Sequence, residues 1–428
     1  MPIINEFEKA KKKIKDISSR FDLSKRKKEL KSVESIIENV KQNGDKSLIY
    51  YTSKFDKVKL GKFKVKTKEI NKASDYISKA LLASIKKTIQ RITAFQKTNI
   101  PQSWIKSFSL KEKLGYKYIT LDSVGIYIPS GKSPLISTVL MTVIPAKVAG
   151  VKRIVIFTPP PVHKGILAAC KLLGIDEIYQ VGGAQAIAAA AYGTKTINPV
   201  DKIIGPGNVY VTLAKKIVFG KVGIDGLYGP SEIAIIADNS ANPKHIAMDL
   251  LSQLEHGSGL ESAVLITNSK QIAKETTKAL FEFAKKLPNK KTVLNSWKNN
   301  SAIILVKDLN KASELINMLA PEHLEIITKN PNTLLKKISH AGAIFLGKYS
   351  CESVGDYVAG PSHCLPTGGS ARFSSGLTVM DFMKKISVIS FDKKSLSKVS
   401  KNITELADAE GLKAHGDAVR IRLNEAEI

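Results

Sequence analysis

Four of the seven histidines in this 428-residue chain lie beside acids or amides in short, unusual sequences. These sequences are SQLEHGSG, APEHLEI, GDYVAGPSH and DAEGLKAHG, and no histidine precedes residue 163. Neutral imidazole binds zinc and exchanges protons near neutral pH, so histidines grouped with Gln, Asp and Glu suit either task. The pattern predicts one chemical centre, built from the later part of the chain.

Gln253 and His256 are candidate metal ligands at the end of a predicted helix, DLLSQLEHG. Residues three apart share a helix face, so both side chains could reach one ion. The free carbonyls and the negative end of the helix dipole also favour a cation there. An ordinary polar helix end is the alternative that the spacing leaves open.

Glu322 and His323 follow Ala320-Pro321 and come just before the predicted strand LEIIT. An acid and an imidazole at a strand entrance are candidates for proton transfer. Adjacent residues on an extended chain point in opposite directions, so both serve one site only if the local turn aims them together. A salt-bridging pair in a loop is the alternative.

Two further pairs contain a histidine and an acid. Asp356 and His363 flank a stretch rich in Gly, Pro and Ser, which we expect to be irregular and functional because long special loops commonly are. Glu410 and His415 lie on a predicted helix near the C-terminus. A solvated helix face is the default interpretation of this last pair.

The chain has 66 basic and 38 acidic residues, a formal net charge of +28. Such a charge ordinarily favours nucleic acid or an anionic membrane as a partner. Only seven of the basic residues are arginines, which base readout and phosphate clamping favour, and the lysines are spread through every segment. We therefore expect neither a specific nucleic-acid partner nor a membrane partner.

The three cysteines show no CxxC spacing, which fits a reducing compartment and argues against disulfides. The N-terminal sequence lacks the apolar stretch of a signal peptide, and no run approaches a membrane span. A cytoplasmic, soluble protein is the expectation.

The order of apolar runs predicts the fold class. Residues 5–115 follow a helical, Lys-rich pattern, with Asn43-Gly44 closing an early helix. From Val124 to about Gly229, short β-rich runs alternate with small-residue helices, which is typical of crossover units and a parallel sheet. A second α/β region follows, in which SEIAIIAD, SAVLITN, HLEIIT and GAIFLG are predicted strands, and KKTVLNSW and SAIILVKD continue the region. A helix capped by Asn242 and begun by Pro243 separates the first two of them.

We therefore predict an α/β protein with two Rossmann-like doubly wound domains and smaller helical N- and C-terminal segments. Residues 1–24 are a helical segment, and residues 25–123 with 232–377 form a discontinuous α/β domain that carries the metal and catalytic motifs. Residues 124–231 form the second Rossmann-like domain on the cofactor side. Residues 378–428 are mainly helical and are expected to cross a dimer.

Phosphate-binding motifs are incomplete in this sequence. GIYIPSGKS is not a Walker A loop, because five residues separate Gly125 from Gly131 where four are required. Neither VGGAQA nor IGPGN matches GxGxxG, although each places glycines where a strand leads into a helix. These observations leave a dinucleotide site open.

A set of longer motifs resembles the histidinol dehydrogenase family. It comprises IIENVKQNGDKSLIYYTSKFD, GIYIPSGKSPLISTVLM, VGGAQAIAAAAYGT, IIGPGNVYV, GPSEIAIIAD, DLLSQLEHG, APEHLE, GDYVAGPSH and AEGLKAHG. The motifs occur in the same order over nearly the whole chain. The resemblance implies the oxidation of L-histidinol through an aldehyde to L-histidine with two NAD+, the last step of histidine biosynthesis, by a zinc-containing homodimer.

The resemblance also implies roles for individual residues, carried over motif by motif. The zinc ligands, for one ion per subunit, would be Gln253, His256 and Asp356, with His415 of the partner subunit. Zinc would mainly hold the substrate, so these four residues also count as substrate-binding.

The remaining roles follow from the same resemblance. His323 would take the alcohol proton and contact the substrate, and Glu322 would activate water against the aldehyde. Ser231, His363 and Glu410, the last from the partner subunit, match substrate-holding positions. The positions that contact NAD match Tyr127, Gln185 and Asn208.

One departure and one alternative accompany the resemblance. Ser130 stands where the family motif usually has Gly, which could alter the cofactor loop. The alternative function is a related zinc and NAD dehydrogenase of another polar alcohol, such as a sulfonated diol. An anionic substrate of that kind would favour a cation near position 410, where this chain has Glu410.

Overall fold

The computed structural model describes residues 3–109, 111–130 and 134–423. Residues 131–133 of the GIYIPSGKS motif therefore lie outside the described residues. Among the described residues, no helix combines the length and the apolar character that a membrane crossing requires.

The strands, in chain order, are β1 (Trp104–Ser109), β2 (Glu112–Thr120), β3 (Ser123–Tyr127), β4 (Arg153–Phe157), β5 (Ile178–Tyr179), β6 (Lys202–Ile204), β7 (Gly223–Ile224), β8 (Glu232–Ala237), β9 (Ser262–Thr267), β10 (Ala302–Leu305), β11 (His323–Ile327), β12 (Ala343–Leu346) and β13 (Met383–Ser390).

The α-helices are α1 (Phe7–Ser18), α2 (Lys27–Asn43), α3 (Asp45–Tyr51), α4 (Thr67–Lys72), α5 (Lys79–Lys97), α6 (Ile136–Ala149), α7 (Lys164–Leu172), α8 (Gly183–Tyr192), α9 (Val209–Val218), α10 (Pro243–Leu254), α11 (Lys270–Ala284), α12 (Lys290–Asn300), α13 (Leu309–Leu319), α14 (Pro331–Leu335), α15 (Glu352–Tyr357), α16 (Lys393–Ala409) and α17 (Lys413–Leu423).

Two parallel five-stranded sheets share one topology. The β3 sheet has the order β5-β4-β3-β6-β7, and the β8 sheet has the order β10-β9-β8-β11-β12. In both sheets the strand order reverses beside the first strand, which is the topological switch point of a Rossmann-type fold. The predicted fold class, with two Rossmann-like domains, is confirmed.

The β8 sheet is covered by helices on both faces. All six residues of β8 are buried, and alternate side chains belong to different cores. Ile233 and Ile235 pack with residues of α10, α11 and α12, whereas Ala234 and Ile236 pack with residues of α1 and α13. Each fully buried Ile contributes about 1.5 to 3 kcal/mol, so this double coverage explains the continuous apolar run in the sequence.

The ends of two helices follow their predicted caps. The side chain of Asn242 accepts a hydrogen bond from the N–H of Lys244, Pro243 begins α10, and Gly44 follows the last residue of α2. Because α10 runs back along the sheet after β8, its C-terminal end returns to the edge at which β8 begins. That return places DLLSQLEHG near the amino ends of β8 and β11.

The chain divides into two compact units, Met1–Asn99 with Asp122–Phe382, and Ile100–Leu121 with Met383–Ile428. These differ from the four predicted segments, whose bounds stay a prediction. The packing of the N-terminal part also differs from the predicted grouping. Ile36 of α2 lies in the core of the β3 sheet, and Ile14 of α1 lies in a core of the β8 sheet.

The second unit contains strands that the sequence pattern did not predict. Strands β1, β2 and β13 form an antiparallel sheet in the order β1-β2-β13, accompanied by α16 and α17. The prediction of helix up to residue 115 is wrong for β1 and β2. The region after residue 378 is mainly helical, as predicted, but it begins with the unpredicted strand β13. KKTVLNSW, which continues the second α/β region, is helical as part of α12, because Val293 and Trp297 are buried at helical spacing.

Candidate active site

The predicted catalytic pair lies at the amino end of the β8 sheet. His323 is the first residue of β11, Glu322 precedes it, and β11 pairs with β8 on one side and β12 on the other. The side chains of Glu322 and His323 are only 10% and 4% exposed. Ligands of Rossmann-type sheets usually bind at the carboxyl ends of the strands, so this pair occupies the opposite edge.

Glu232, the first residue of β8, holds both side chains through its main chain. Its N–H donates to Glu322 Oε2 at 2.9 Å, and its carbonyl oxygen lies 3.0 Å from His323 Nδ1. A carbonyl oxygen only accepts, so Nδ1 carries the proton and Nε2 of the neutral ring keeps its lone pair. Glu322 and His323 therefore lie in one site, with 3.7 Å between Glu322 Oε2 and His323 Nδ1.

Burial shifts the pKa values of Glu322 and His323 in opposite directions. It raises the pKa of Glu322 well above its ordinary value, and the nearby charge of Glu232 adds to this effect. Burial lowers the pKa of His323, so the ring is neutral at neutral pH. A neutral imidazole beside a more basic carboxyl is a suitable set for proton transfer.

Asp356 and His363 lie beside His323. Asp356 Oδ1 is 3.8 Å from both His323 Nε2 and His363 Nδ1, which is too long for a hydrogen bond. Thr138 Oγ1 lies 3.2 Å from His363 Nε2, and burial lowers the pKa of His363 to about 4. Asp356 lies in the last turn of helix α15, and residues 358–363 form neither helix nor strand, so the irregular stretch predicted between Asp356 and His363 is confirmed.

A cavity of about 620 Å³ opens beside these groups. Its walls include His323, Asp356 and His363 on the polar side and Phe345 and Leu365 on the apolar side. The volume falls within the range of small-molecule sites, and polar groups converging in a mostly apolar cavity are typical of a substrate pocket.

Gln253 and His256, the predicted metal ligands from DLLSQLEHG, lie at the end of α10. Gln253 is fully buried, and neither its amide nitrogen nor its amide oxygen has a hydrogen-bond partner. His256 Nδ1 donates to the carbonyl oxygen of Gln253 at 3.1 Å, which leaves Nε2 available. Burial raises the pKa of Asp356, and the neighbouring His256 partly offsets that rise. Helix α10 ends at Leu254, so His256 lies just beyond it.

The donor set at this position fits a metal ion. A buried amide without a partner is costly unless something outside the chain satisfies it, and a histidine with Nδ1 already donating is prepared to bind through Nε2. Amide, imidazole and carboxylate donors suit zinc, with manganese or cobalt as chemical substitutes.

Glu352 is a site residue that the sequence analysis missed. Ligand atoms of His323, Glu352 and Asp356 all lie within 4.8 Å of one another. Burial raises the pKa of Glu352 to about 7, and the charge of Asp356 adds to the rise. The signal was the i, i+4 spacing of two acids in ESVGDY, which places both on one face of α15.

A second opening lies at the carboxyl ends of β3 and β6, the switch point of the β3 sheet. This crevice of about 690 Å³ is lined by Tyr127, Gln185 and Asn208, the three predicted cofactor-contacting residues, and also by His256. Its position is where dinucleotides bind to Rossmann-type sheets. His256, which lines the crevice, also lies close enough to Asp356 to affect the pKa of that carboxyl.

The three crevice residues are held in different ways. The hydroxyl of Tyr127, the last residue of β3, accepts a hydrogen bond from the N–H of Gly183 at 3.0 Å. The side chain of Asn208 caps α9, and Gln185 in α8 is buried with an amide oxygen that has no partner. Two helix N-termini therefore open toward the crevice, an arrangement that favours anionic groups.

Asp56 is a second residue that the sequence analysis missed. It ends a π-helical turn, Thr52–Asp56, and is the only acid among the described residues that line the crevice. Burial raises its pKa to about 6, and its Oδ2 has no hydrogen-bond partner. It lies in YYTSKFD, part of a motif that carried the family resemblance.

The remaining predicted residues are placed as follows. Ser231 lies between Pro230 and β8, directly before Glu232. Glu410 follows the last residue of α16 and His415 lies in α17, both in the second compact unit. The described cluster of acids and imidazoles is formed without them.

A crevice at the switch point of a Rossmann-type sheet, adjoining a buried acid and a neutral imidazole, defines an enzyme of the dehydrogenase class. The sequence profile described as histidinol dehydrogenase matches residues 20–423.

Individual relatives agree with this profile. The histidinol dehydrogenase of Clostridium acetobutylicum is 46% identical over 397 residues, covering 92% of each chain. That of Bacillus subtilis is 47% identical over 396 residues, again covering 92% of each chain. The crystal structure of histidinol dehydrogenase from Elizabethkingia anophelis superposes with a TM-score of 0.89, at 39% identity and 92% coverage of both chains.

The chain belongs to the histidinol dehydrogenase family, a family of oxidoreductases. The resemblance stated from the motifs is therefore confirmed. The comparisons give no support to the alternative, a dehydrogenase of a sulfonated diol.

Proposed function

We propose that this protein oxidises L-histidinol through L-histidinal to L-histidine, with two NAD+ reduced per turnover, as the last step of histidine biosynthesis in the cytoplasm. The proposal rests on the buried Glu322-His323 pair, which Glu232 holds in place in a chain of the histidinol dehydrogenase family. The three free cysteines are consistent with a reducing compartment.

The proposed metal is one zinc ion per subunit, bound by Gln253, His256 and Asp356 together with His415 of the partner subunit. The partnerless amide of Gln253 and the free Nε2 of His256 support this set. When bound, zinc supplies a template that holds the substrate's amine and imidazole. Gln253, His256, Asp356 and His415 thus contribute to substrate binding as well.

The substrate is a cationic amino alcohol, which agrees with an acid-rich site. Ser231 and His363 are proposed to hold it within one subunit, and Glu410 of the partner subunit completes the pocket. Dimerisation is thus part of the proposal, since Glu410 and His415 act in trans. The apolar wall formed by Phe345 and Leu365 suits the imidazole ring of histidinol.

NAD+ is proposed to lie in the crevice of the β3 sheet, in contact with Tyr127, Gln185 and Asn208. When bound there, it accepts one hydride in each oxidation step. The helix N-termini of α8 and α9 favour its pyrophosphate. His256 lines the crevice and lies near Asp356 of the substrate cavity, so the nicotinamide and the alcohol carbon are proposed to meet beside His256.

His323 serves the first oxidation. Nδ1 donates to Glu232, so Nε2 is the free base, and burial keeps the ring neutral at neutral pH. Nε2 takes the hydroxyl proton while the carbinol carbon loses a hydride, which gives the aldehyde. A well-placed base of this kind contributes about 10² to 10⁴ in rate.

Glu322 serves the second oxidation. Its carboxylate takes a proton from water as the oxygen of that water adds to the aldehyde carbon. The hydrate then loses the second hydride and becomes the carboxyl group of the product. One histidinol, two NAD+ and one water thus give one histidine, two NADH and three protons. Burial of the aldehyde between the steps limits its loss to solvent.

The stoichiometry of NADH tests this function. Purified protein with L-histidinol and excess NAD+ is expected to form two NADH per histidinol consumed, with L-histidine as product. Bound metal is measured on the same sample by elemental analysis. A yield of one NADH, or no turnover with a full complement of zinc, would contradict the proposal.

A further inference from the structure

Arg20, just beyond α1, is a buried cation that touches the framework of the candidate site. Its side chain is 6% exposed. Its guanidinium donates to the carbonyl oxygens of Leu260, Ile17 and Pro230 at 2.7, 3.0 and 3.2 Å. It also donates to Glu232 Oε1 at 2.6 Å, a charge-assisted bond between two buried groups.

The partner of Arg20, Glu232, is linked to Glu322 in both directions. The N–H of Glu232 donates to Glu322 Oε2 at 2.9 Å, and the N–H of Glu322 donates to Glu232 Oε2 at 3.3 Å. The N–H of Gly368 donates to Glu232 Oε1 at 3.1 Å. Both oxygens of the Glu232 carboxylate therefore accept hydrogen bonds, either from Arg20 or from main-chain N–H groups around the site.

This arrangement brings two buried carboxyl groups together with one cation. Two carboxylates that share a buried site cannot both be charged without compensation, because their repulsion is weakly screened. Among the ion pairs of the described residues, the basic partner of Glu232 is Arg20. With the charge of Glu232 neutralised, Glu322 is the carboxyl left to exchange a proton.

We propose that Arg20 and Glu232 are positioning residues for Glu322, and that they matter most in the water-dependent oxidation of the aldehyde. The inference rests on the proposed function of Glu322. Arg20 fixes Glu232, Glu232 fixes the carboxyl of Glu322 through its N–H, and the ion pair removes a negative charge from beside that carboxyl.

The ratio of the two oxidation rates tests the inference. In Arg20→Met, Glu232 is an unpaired charged neighbour of Glu322. We therefore expect the fold-decrease in kcat for L-histidinal to be about ten times the fold-decrease in the rate at which the first NADH forms from L-histidinol. Arg20→Lys keeps the charge and should recover most of this loss. Arg20→Met with Glu232→Gln removes both charges and should also recover, since Gln can still accept from Glu322.

A structural role alone gives a different result. Arg153→Met is the matched control, because Arg153 forms a part-buried pair with Glu177 and donates to the carbonyl oxygens of Asn198 and Pro199. Arg153→Met should lower the urea concentration at the midpoint of unfolding. Its ratio of the two oxidation rates should equal that of the unchanged protein. Rates are normalised to active sites counted by NADH binding, so loss of folded protein does not alter the ratio.

The outcomes separate this inference from the function on which it rests. If the unchanged protein forms two NADH per histidinol and Arg20→Met keeps the normal ratio, the positioning role is wrong and the function stands. If Arg20→Met does not fold, Arg20→Lys and the double variant decide through their ratio of the two oxidation rates. A decrease of about tenfold in that ratio for the double variant overturns the inference. If the unchanged protein does not oxidise histidinol, both fall together.

Discussion

Glu232 and Glu322 each accept a hydrogen bond from the other's main-chain N–H, at distances of 3.3 and 2.9 Å. This reciprocal pair joins the amino ends of two parallel strands that lie about ninety residues apart in the sequence. Since parallel pairing fixes β8 against β11, the carboxyl of Glu322 is held by the sheet itself and not by a flexible loop. Acid chemistry is thereby built onto a rigid element.

Glu322→Gln should separate the two oxidations. Gln keeps the shape and can still accept from Glu232, but it cannot take a proton from water. We expect the first NADH to form near its normal rate and the second to slow by about 10² or more. Rapid mixing with L-histidinol, followed by NADH absorbance, measures both phases.

Glu177→Gln is the control for removing a carboxyl from the same compact unit, since Glu177 pairs with Arg153 and not with Glu322. Its two phases should keep their normal ratio. Equal slowing of both phases in Glu322→Gln would contradict a specific role in the aldehyde step.

Gln253→Leu should change stability in opposite directions with and without zinc. In metal-free protein both amide atoms of Gln253 are buried without partners, so Leu should raise the free energy of unfolding by about 1 to 3 kcal/mol. With zinc present the same change removes a ligand, and zinc binding should weaken by tenfold or more. Urea unfolding in chelator and in excess zinc, together with metal analysis, measures both effects.

Gln96→Leu is the matched control. Gln96 is also fully buried, but its amide nitrogen donates to the carbonyl oxygen of Gly360 at 3.1 Å. Its replacement should therefore destabilise the protein in both conditions and leave zinc binding unchanged. The proposal for Gln253 fails if metal-free Gln253→Leu is less stable than the unchanged protein and binds zinc equally well.

The apolar patterns predicted the two parallel sheets because buried parallel strands and their helices carry strong local signals. SEIAIIAD and SAVLITN are apolar on both faces, and the structure shows a helix layer on each side. β13, with the sequence MKKISVIS, is largely exposed and Lys-bearing, so its run lacks that signal. Its pairing with β2 is a contact between distant segments that the local pattern does not encode.

The motifs also indicated which residues meet, but not what holds them. The structure brings Glu322, His323, Asp356 and His363 together, and their roles stay predictions. Glu232 is part of the same set, yet SEIAIIAD marks it only as the start of a strand. Its contact with Glu322 depends on strand pairing, and the contact of Arg20 depends on helix packing. Neither follows from spacing along the chain.

Glu352→Gln should flatten the pH dependence of stability in metal-free protein. The pKa of Glu352 rises from 4.5 to about 7 on burial, so the folded state holds its proton more tightly than the unfolded state. This contribution, about 3 kcal/mol, is fully present below the unfolded pKa and is lost as pH rises through about 7. Urea unfolding in chelator at about pH 5 and about pH 8 should therefore show less loss in Glu352→Gln.

Glu6→Gln is the control for that experiment, because the Glu6 side chain is 63% exposed. Its pH dependence should match that of the unchanged protein. His363, whose pKa falls to about 4, acts in the opposite direction, and its effect is common to all three proteins. An equal slope in Glu352→Gln and in the unchanged protein would show that Glu352 does not hold a proton in the folded site.

Hybrid dimers should reveal whether His415 acts in trans. His323→Ala and His415→Ala should each be inactive alone. In a hybrid dimer, one site has lost both histidines and the other is intact if His415 comes from the partner subunit. Refolding an equal mixture should then recover about a quarter of the normal rate of L-histidine formation, since half of randomly formed dimers are hybrids with one working site.

The matched control is a mixture of His323→Ala and Glu322→Gln, whose mutations lie on neighbouring residues of one chain, so no hybrid site is intact. Because Glu322→Gln is expected to keep the first oxidation, both mixtures are compared by the L-histidine that they form. No recovery in the first mixture, when mass analysis shows hybrids, would place His415 in the site of its own subunit or outside it. Equal recovery in both mixtures would also contradict the trans arrangement, because the control has no intact hybrid site.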